Sequence, residues 1–598
     1  MPRTLDETYQ RTLQEINEAD WEFAHRLFQF VAVASRPLRV EELAELLAFD
    51  FKAGPIPKIY EGWRLEDPED AVLSACSSLL AVVEVEGSSV IQFSHFSVKE
   101  FLTSPRLAET SDIIHRRYHV SMIPSHTLAS QACLGTLLHL DKDAITCGSL
   151  EDYPLAKYAA EHWVYHARFE EEVSHNVEDG MKELFDPSKS HLSVCIWIHD
   201  PQIWPYSRPK WTLPIPRSPL HYAAFWGLHS IVHFLVIEHS QDVRSREVID
   251  GATPLHLASL HGHKQVICFL LEHGADVSAR EKSGKTPLHL ASLYGHEQVI
   301  CFLLEHGAEV SAQEKSGQTP LHLAVIHGVA EVAHMLIERG AEVSAQDRDK
   351  MAPLLLAIKL GHVEVAHMLI ERGADVSTQD MNKNTPLHWA SEEGHVEVAH
   401  MLIEHGADVS AQSEGGGTAL HFASLGGHVE VAQMLIERGA DVSTQDESGT
   451  TALHWASREG HVKVAHMLIE RGADVSTQDW DGATPLHRAL EAGHVEVADI
   501  LIEHGADVSA QDEDRKTPLH LASQEGCMEV ADMLIEHGAD ASAQDNDGMT
   551  PLILASQDEW LAEAAHVLIQ HGAGAGAIRT WIDTNKGHCH VCSYWKER

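Results

Sequence analysis

Residues 286–311 read TPLHLASLYGHEQVICFLLEHGAEVS, and near-copies of this stretch recur every 33 residues. Its landmark histidine falls at His256, His289, His322, His388, His421, His454, His487 and His520, while Leu355 and Ile553 hold the register without it. Two short helices can be read within one unit. Thr286 is placed as an N-cap, and Pro287 follows at the first helical position, where its missing N–H costs nothing. Leu288, Leu290 and Ala291 are expected to face inward, the alanine being small because the helices stack closely. Gly295 ends this helix in a conformation suited to glycine. His296–Glu305 is expected to form a second helix with Val299, Ile300, Leu303 and Leu304 inward, closed by Gly307. Glu309–Thr319 then makes a projecting turn. One such unit cannot bury its own apolar faces, so neighbours must stack on it.

The sequence holds eleven units. The first, SPLHYAAFWG from Ser218, has its His221 35 residues before His256, so the loop between carries two extra residues. The last, TPLILASQDEW, replaces Gly-His by Glu559-Trp560. Divergence at both ends suits capping positions. In the fifth unit Lys350 replaces the turn glycine, Ala352 the N-cap and Leu355 the histidine, so local opening is expected to begin there.

The period and the T-P-L-H-x-A core resemble the ankyrin repeat. The resemblance implies a mainly α solenoid that binds proteins through its turn tips and the solvent face of its first helices. Read across units, the tip position runs Ile249, Lys282, Lys315, Arg348, Met381, Glu414, Glu447, Trp480, Glu513, Asn546. The pair before the helix-ending glycine runs from Phe225-Trp226 through Leu293-Tyr294 to Glu392-Glu393 and Gln524-Glu525. The candidate partner contacts in units one to five are Trp226, Leu260, His261, Lys282, Lys285, Leu293, Tyr294, Lys315, Ile326, His327, Arg348 and Lys359. In units six to eleven they are Glu392, Glu393, Glu414, Glu447, Trp480 and Glu513. The first set is aromatic, aliphatic and basic, the second mostly acidic. Trp226, Tyr294 and Lys315 are expected to carry affinity, and the acidic half to set orientation and salt dependence.

Upstream, Leu5–Ile16 and Trp21–Val33 have apolar residues at helical spacing, and Val40–Leu47 (VEELAELL) reads as a short helix. Leu79–Val85, the turn at Gly87 and Val90–Phe93 read as a two-stranded wing, and Ser97–Leu102 as a further helix. Helices followed by a wing describe a winged helix. The candidate recognition helix carries Glu41, Glu42 and Glu45, which would repel phosphate, so no nucleic-acid partner is expected.

The segments LDETYQRTLQEI, SRPLRVEELAELLA, CSSLLAVVEVEG and FSHFSVKEFL resemble the winged-helix segment of fungal NLR-like (NACHT/STAND-type) proteins, and the GPI inositol-deacylase winged-helix domain. The resemblance covers about residues 4–105. It implies the C-terminal part of a receptor whose repeats sense a protein ligand. In that family a NACHT nucleotide-binding domain comes first. Only four residues precede the segment here, and no G-x-x-x-x-G-K-[ST] phosphate loop occurs, so a NACHT NTPase would have to be supplied in cis or in trans.

Residues 126–140 and 153–168 read as helices, the latter (YPLAKYAAEHWVYHAR) matching a helix that the family places before its repeats. Glu170–Glu172 and Pro187–Ser190 read as loops, and Trp204 to Pro216 as a proline-rich linker. The expected divisions are a winged helix at 1–120, a helical spacer and linker at 121–215, repeats at 216–578 and a tail at 579–598. The spacer is expected to shield the first repeat.

The balance of 44 Lys+Arg against 89 Asp+Glu, a formal net charge of −45, disfavours nucleic acid and anionic membranes. Nine irregularly spaced cysteines read as reduced thiols. With no signal-like segment and no apolar run of membrane-spanning length, an intracellular, cytoplasmic location is expected. Among the 45 histidines, the HVEVAH motif (His362 to His367, His395 to His400) resembles a zinc motif. Its pair is five residues apart, about 140° around a helix, and cannot share one metal. The tail GHCHVC has one C-x-x-C knuckle where a structural zinc uses two. No G-x-S-x-G elbow is present. The reading is a non-catalytic interaction module with no cofactor, metal or catalytic residues; the alternatives are an adaptor of an enzyme complex or a regulator of a NACHT NTPase.

Overall fold

The computed structural model describes residues 5–64, 66–85, 87–140, 150–169, 174–199, 218–555 and 568. The proline-rich linker, the Glu170–Glu172 loop, the Cys/His tail and most of the last repeat's second half lie outside them. The chain divides into two compact units, Met1–Lys282 and Ser283–Arg598.

In the first unit, α1 (Leu5–Glu15) and α2 (Trp21–Val33) form where the helical spacing places them. Helix α2 buries Leu27, Phe28, Phe30 and Val33. Then come β1 (Leu38–Arg39), α3 (Val40–Ala44), a 3-10 turn (Glu45–Ala48), β2 (Phe49–Asp50) and β3 (Lys58–Ile59). They are followed by α4 (Pro68–Cys76), β4 (Leu80–Val85) and β5 (Ser88–Phe93). β4 and β5 form the antiparallel wing, with Leu80 opposite Phe93 and Val85 opposite Ser88. β1 pairs with the other edge of β5, giving the order β1-β5-β4 of a winged helix. A two-residue strand is too short for alternation to show in sequence, which is why only two strands were expected.

One assignment needs correcting. The helix that leads into the wing is α4, not residues 40–47. Glu42 is buried, held by Arg36 at 2.8 Å and Arg39 at 3.2 Å, and Glu45 by Arg64 at 2.5 Å. Burial alone would raise the Glu42 carboxyl, but the Arg36 and Arg39 bonds outweigh it and hold it below the ordinary range. These carboxylates are engaged in ion pairs within the domain. The like-charge argument against phosphate passes to Glu69 and Asp70 in the first turn of α4.

Helices α5 (Phe96–Leu102), α6 (Pro105–Ala108) and α7 (Ile113–Arg116) close the domain. The spacer is α8 (Met122–His139), α9 (Ala156–Ala167), α10 (His175–Phe185) and α11 (His191–Ile198), the last two unforeseen. The first repeat follows, with helices Pro219–Trp226 and His229–His233, the second running on through a π turn at Phe234–Glu238. The second repeat has Pro254–Leu260 and Lys264–Glu272.

The second unit is a solenoid of the remaining repeats. Its first helices run from Pro287–Leu293 to Pro551–Ala555, and its second helices from Glu297–Glu305 to Met528–Glu536. In the third repeat Leu288, Ala291, Val299, Ile300 and Leu303 are buried as expected, while Leu304 is half-buried. Gly295 takes φ +75° and Gly307 φ +88°, the left-handed turn that ends each helix without a Cβ penalty.

Candidate protein-interaction surface

Within the second unit, each repeat that keeps the landmark histidine before another repeat is tied to that neighbour through it. His289 Nδ1 accepts from the Thr286 N–H at 3.1 Å and from its hydroxyl at 2.8 Å; Nε2–H donates to the Gln318 carbonyl at 3.2 Å. His322, His388, His421, His454, His487 and His520 reach the carbonyls of Met351, Gly417, Thr450, Ala483, Lys516 and Met549 in the same way. One nitrogen accepts and the other donates, so only the neutral ring fits. Burial depresses the rings of His322, His388, His421, His454, His487 and His520 accordingly, His454 to about 4. The second histidine of the unit ties back the other way. His362, His428 and His461 donate to the carbonyls of Ile326, Glu392 and Leu425 at 3.3, 2.9 and 2.8 Å. The HVEVAH pair separates as its spacing demands: His362 points inward to that carbonyl, while His367 lies on the outside, 3.8 Å from Glu371. Among the described residues no group of His, Cys, Asp or Glu is arranged to hold a metal ion.

Most tips are locked by one backbone bond, Met381 being the exception among the described residues of the second unit. In the second unit the N–H groups of Lys315, Arg348, Glu414, Glu447, Trp480 and Glu513 donate to Ser283, Ser316, Asn382, Gly415, Ser448 and Asp481 at 2.7–3.0 Å. A backbone held in this ladder leaves the tip side chains to project. Tyr294 is 56% exposed, Met381 61% and Trp480 71%. His261, Lys282, Lys315, His327, Arg348, Lys359, Glu393, Glu414, Glu447 and Glu513 are exposed as well. Leu260, Lys285, Leu293, Ile326 and Glu392 are half-buried.

Two candidates are not free anchors. Trp226 is half-buried between spacer helices, with the Trp163 ring 5.5 Å and the Phe185 ring 6.1 Å away, both edge-on. It seals the spacer onto the first repeat. Lys282 donates from Nζ to the carbonyls of Val248 and Ile249 at 2.6 and 2.8 Å, bracing the neighbouring turn.

A further stripe escaped the sequence reading. The residue after the landmark histidine is a buried leucine at Leu257, Leu290, Leu323 and Leu521. In repeats six to nine it is Trp389, Phe422, Trp455 and Arg488, all half-buried. The turn aspartate nine residues earlier pins three of them. Asp380 accepts from the Trp389 indole N–H at 3.1 Å, Asp446 from Trp455 at 3.2 Å, and Asp479 from Arg488 at 2.7 Å. The Lys359 ammonium stands 4.3 Å from the Trp389 ring centroid and the Arg458 guanidinium 4.6 Å from that of Trp455. The x of T-P-L-H-x-A, read down the repeats, was the available signal.

This stacked helical geometry, with capped first helices and laddered turns, is matched by the family models described as "Ankyrin repeats (3 copies)", at residues 220–314, 279–347, 308–380, 441–512, 474–545 and 508–579, and "Ankyrin repeats (many copies)", at 387–436. The chain belongs to the ankyrin-repeat family, an architecture that is typically non-enzymatic. Residues 11–113 match "GPI inositol-deacylase, winged helix domain". Similar proteins include the azaphilone pigments biosynthesis cluster protein L of Monascus ruber, 30% identical over 292 residues, covering 46% of this chain and 60% of that one. The ankyrin repeat and SAM domain-containing protein 6 of Rattus norvegicus is 39% identical over 67 residues, 11% of this chain and 8% of the relative. Alpha-latrocrustotoxin-Lt1a of Latrodectus tredecimguttatus is 42% identical over 62 residues, 10% of this chain and 4% of the toxin. The chain thus spans 60% of the first relative's length and far less of the others'. No helix among the described residues is long and apolar enough to cross a membrane.

Proposed function

We propose that the chain is a non-catalytic, intracellular recognition protein whose repeats bind a protein ligand, and that it serves as the sensor part of an NLR-like signalling system. The observation that carries this is the set of large side chains held out on an ordered backbone: Tyr294, Met381 and Trp480 are each more than half exposed, and the Trp480 tip is tied by the ladder. Preorganised aromatic anchors beside charge are the material of binding hot spots. Lys315, Arg348 and Lys359, in the turns and repeats that follow Tyr294 along the chain, and the glutamates of later tips supply that charge. The winged-helix match favours a second role, regulation of a nucleotide-binding domain supplied elsewhere.

Photo-crosslinking tests the reading. A benzoyl-phenylalanine placed at Tyr294 or Trp480 in the full chain should trap one discrete protein from cells of the source organism. The same probe at His466, on the outer helices, should not. Equal products from all three positions would dispose of the proposed surface.

A further inference from the structure

We infer that the first-helix face of repeats six to nine is a docking groove for an extended protein segment carrying a basic side chain at every third residue. The inference rests on the interaction role just proposed and names the partner's chemistry.

Three rings stand in successive repeats, Trp389, Phe422 and Trp455, where repeats three and four carry leucine. The two indoles cannot turn freely. The Trp389 N–H is committed to Asp380 and the Trp455 N–H to Asp446 and Thr450, which sets each ring plane, and both rings are half-buried. That faces of this kind take cations is visible in the molecule itself. Lys359 and Arg458, both exposed side chains, lie over Trp389 and Trp455 at 4.3 and 4.6 Å from the centroids. At the next position the chain supplies its own cation. Arg488 is enclosed by Asp479 at 2.7 Å, Asp481 at 2.8 Å and Glu491 at 3.0 Å.

The charge around the rings is complementary to a basic segment. Glu392, Glu393, Glu459 and Glu491 border the stripe from the first helices, and Glu414 and Glu447 from the tips. The Glu392 carboxyl is raised by burial and then by Glu393, a crowding of negative charge that an incoming cation relieves. Spacing completes the match. Packed helices repeat at roughly 8–10 Å. A polyproline-type chain turns once every three residues and advances about 3.1 Å per residue, so every third side chain falls on one side at about 9 Å steps. One cation can therefore meet each ring in turn. Nucleic acid and acidic peptides are repelled by the same border.

The test is fluorescence anisotropy with the full chain and a fluorescein-labelled ten-residue peptide with arginine at every third position in a proline-alanine background. The control has the same composition with its arginines contiguous. The spaced peptide is expected to bind about tenfold more tightly than the control. Trp389→Leu, Phe422→Leu and Trp455→Leu keep the residue that other repeats use here, and each should weaken binding by about twofold to fivefold with unchanged thermal unfolding. Lys359→Ala and Arg458→Ala remove the resident cations, and each should strengthen it by a similar factor, whereas Lys463→Ala, which takes the same charge from an exposed site on an outer helix, should change it less. Equal affinity for the two peptides, or leucine variants that bind like the parent, overturns the inference. If the spaced peptide fails while the Tyr294 and Trp480 crosslinks succeed, the groove is wrong and the interaction role stands; failure of both removes both.

Discussion

His454 uses both ring nitrogens, taking the Thr451 N–H at 3.1 Å and its hydroxyl at 2.8 Å and giving a proton to Ala483 at 3.2 Å. Repeat five lacks both partners, having Ala352 and Leu355 in their places, and its first helix still forms, so a repeat can do without the pair. Thr451→Ala and His454→Leu should each cost about 1–2 kcal/mol, the first through the lost hydroxyl–imidazole bond and the second because it leaves the Thr451 N–H and hydroxyl and the Ala483 carbonyl unpaired. The double variant should cost less than the two together by about 1 kcal/mol, since the hydroxyl that His454→Leu leaves unpaired is then absent, while the residue 451 N–H and the Ala483 carbonyl stay unpaired. Urea titrations of the four proteins measure that coupling, and strict additivity would contradict the staple. The Thr-Pro-Leu-His pattern made this cap legible in the sequence. The bond to the next repeat was not, because its acceptor is a backbone carbonyl that carries no residue signature. The same limit hid the aromatic stripe: Trp389 is visible as a letter, but its half-exposure follows from an aspartate nine residues away that holds its indole.

The junction of repeats five and six concentrates the departures from the pattern. Besides Ala352 and Leu355, the ladder bond expected at Met381 is missing among the described residues. Lys350 and Lys383 adopt φ +57° where Gly317, Gly416 and Gly449 serve other turns. A side chain in that region costs about 1 kcal/mol, so Lys350→Gly should raise stability by about that amount in thermal melts. Amides of residues 345–370 should exchange faster than those of the flanking repeats; equal protection would refute opening at this point. In the other unit, Trp226→Ala should lower stability by about 2–4 kcal/mol through its lost contacts with Trp163 and Phe185, and leave crosslinking at Tyr294 unchanged. Helices α1 and α2 and the β4–β5 wing were readable because one face is apolar at a regular period. Helix α11, HLSVCIWI, was not: Leu192, Val194, Cys195, Ile196 and Ile198 are all buried, so it is apolar all round and carries no stripe. In α10, Gly180 broke the reading; a Cβ there would come within 2.5 Å of Ile56, so close packing demands the glycine.

At the scale of the whole molecule, two electrostatic effects oppose each other as pH falls. A net charge of −45 repels itself, and acid relieves that repulsion, which favours the folded state. The landmark histidines act the other way. His322, His388, His421, His454, His487 and His520 are all depressed, chiefly by burial, and His454 lies near 4. In the unfolded chain a histidine titrates near 6.5. Between those values the unfolded chain binds more protons, so the histidine contribution is whole above about pH 6.5 and is lost as pH falls towards 4. For a ring shifted as far as His454 the loss by pH 4 is about 3 kcal/mol. Aspartates held low by local bonds, such as Asp441 and Asp540, begin to matter only below their ordinary range near 4, while the carboxyls that burial raises, Glu45, Glu392 and Asp499, take up protons above that range and act in the same sense as the relief of repulsion. Surface repulsion is screened beyond about 8 Å at 0.15 M salt, whereas a buried ring bonded on both sides is not. The histidine effect should therefore win: at 0.15 M salt the melting temperature falls from pH 7 to pH 5, and added salt does not restore it. Because the histidines are spread through the second unit, the loss should appear across the repeats in hydrogen exchange and not only at the fifth. A melting temperature that holds or rises over this interval would mean that relief of surface repulsion dominates and that the histidines titrate without cost.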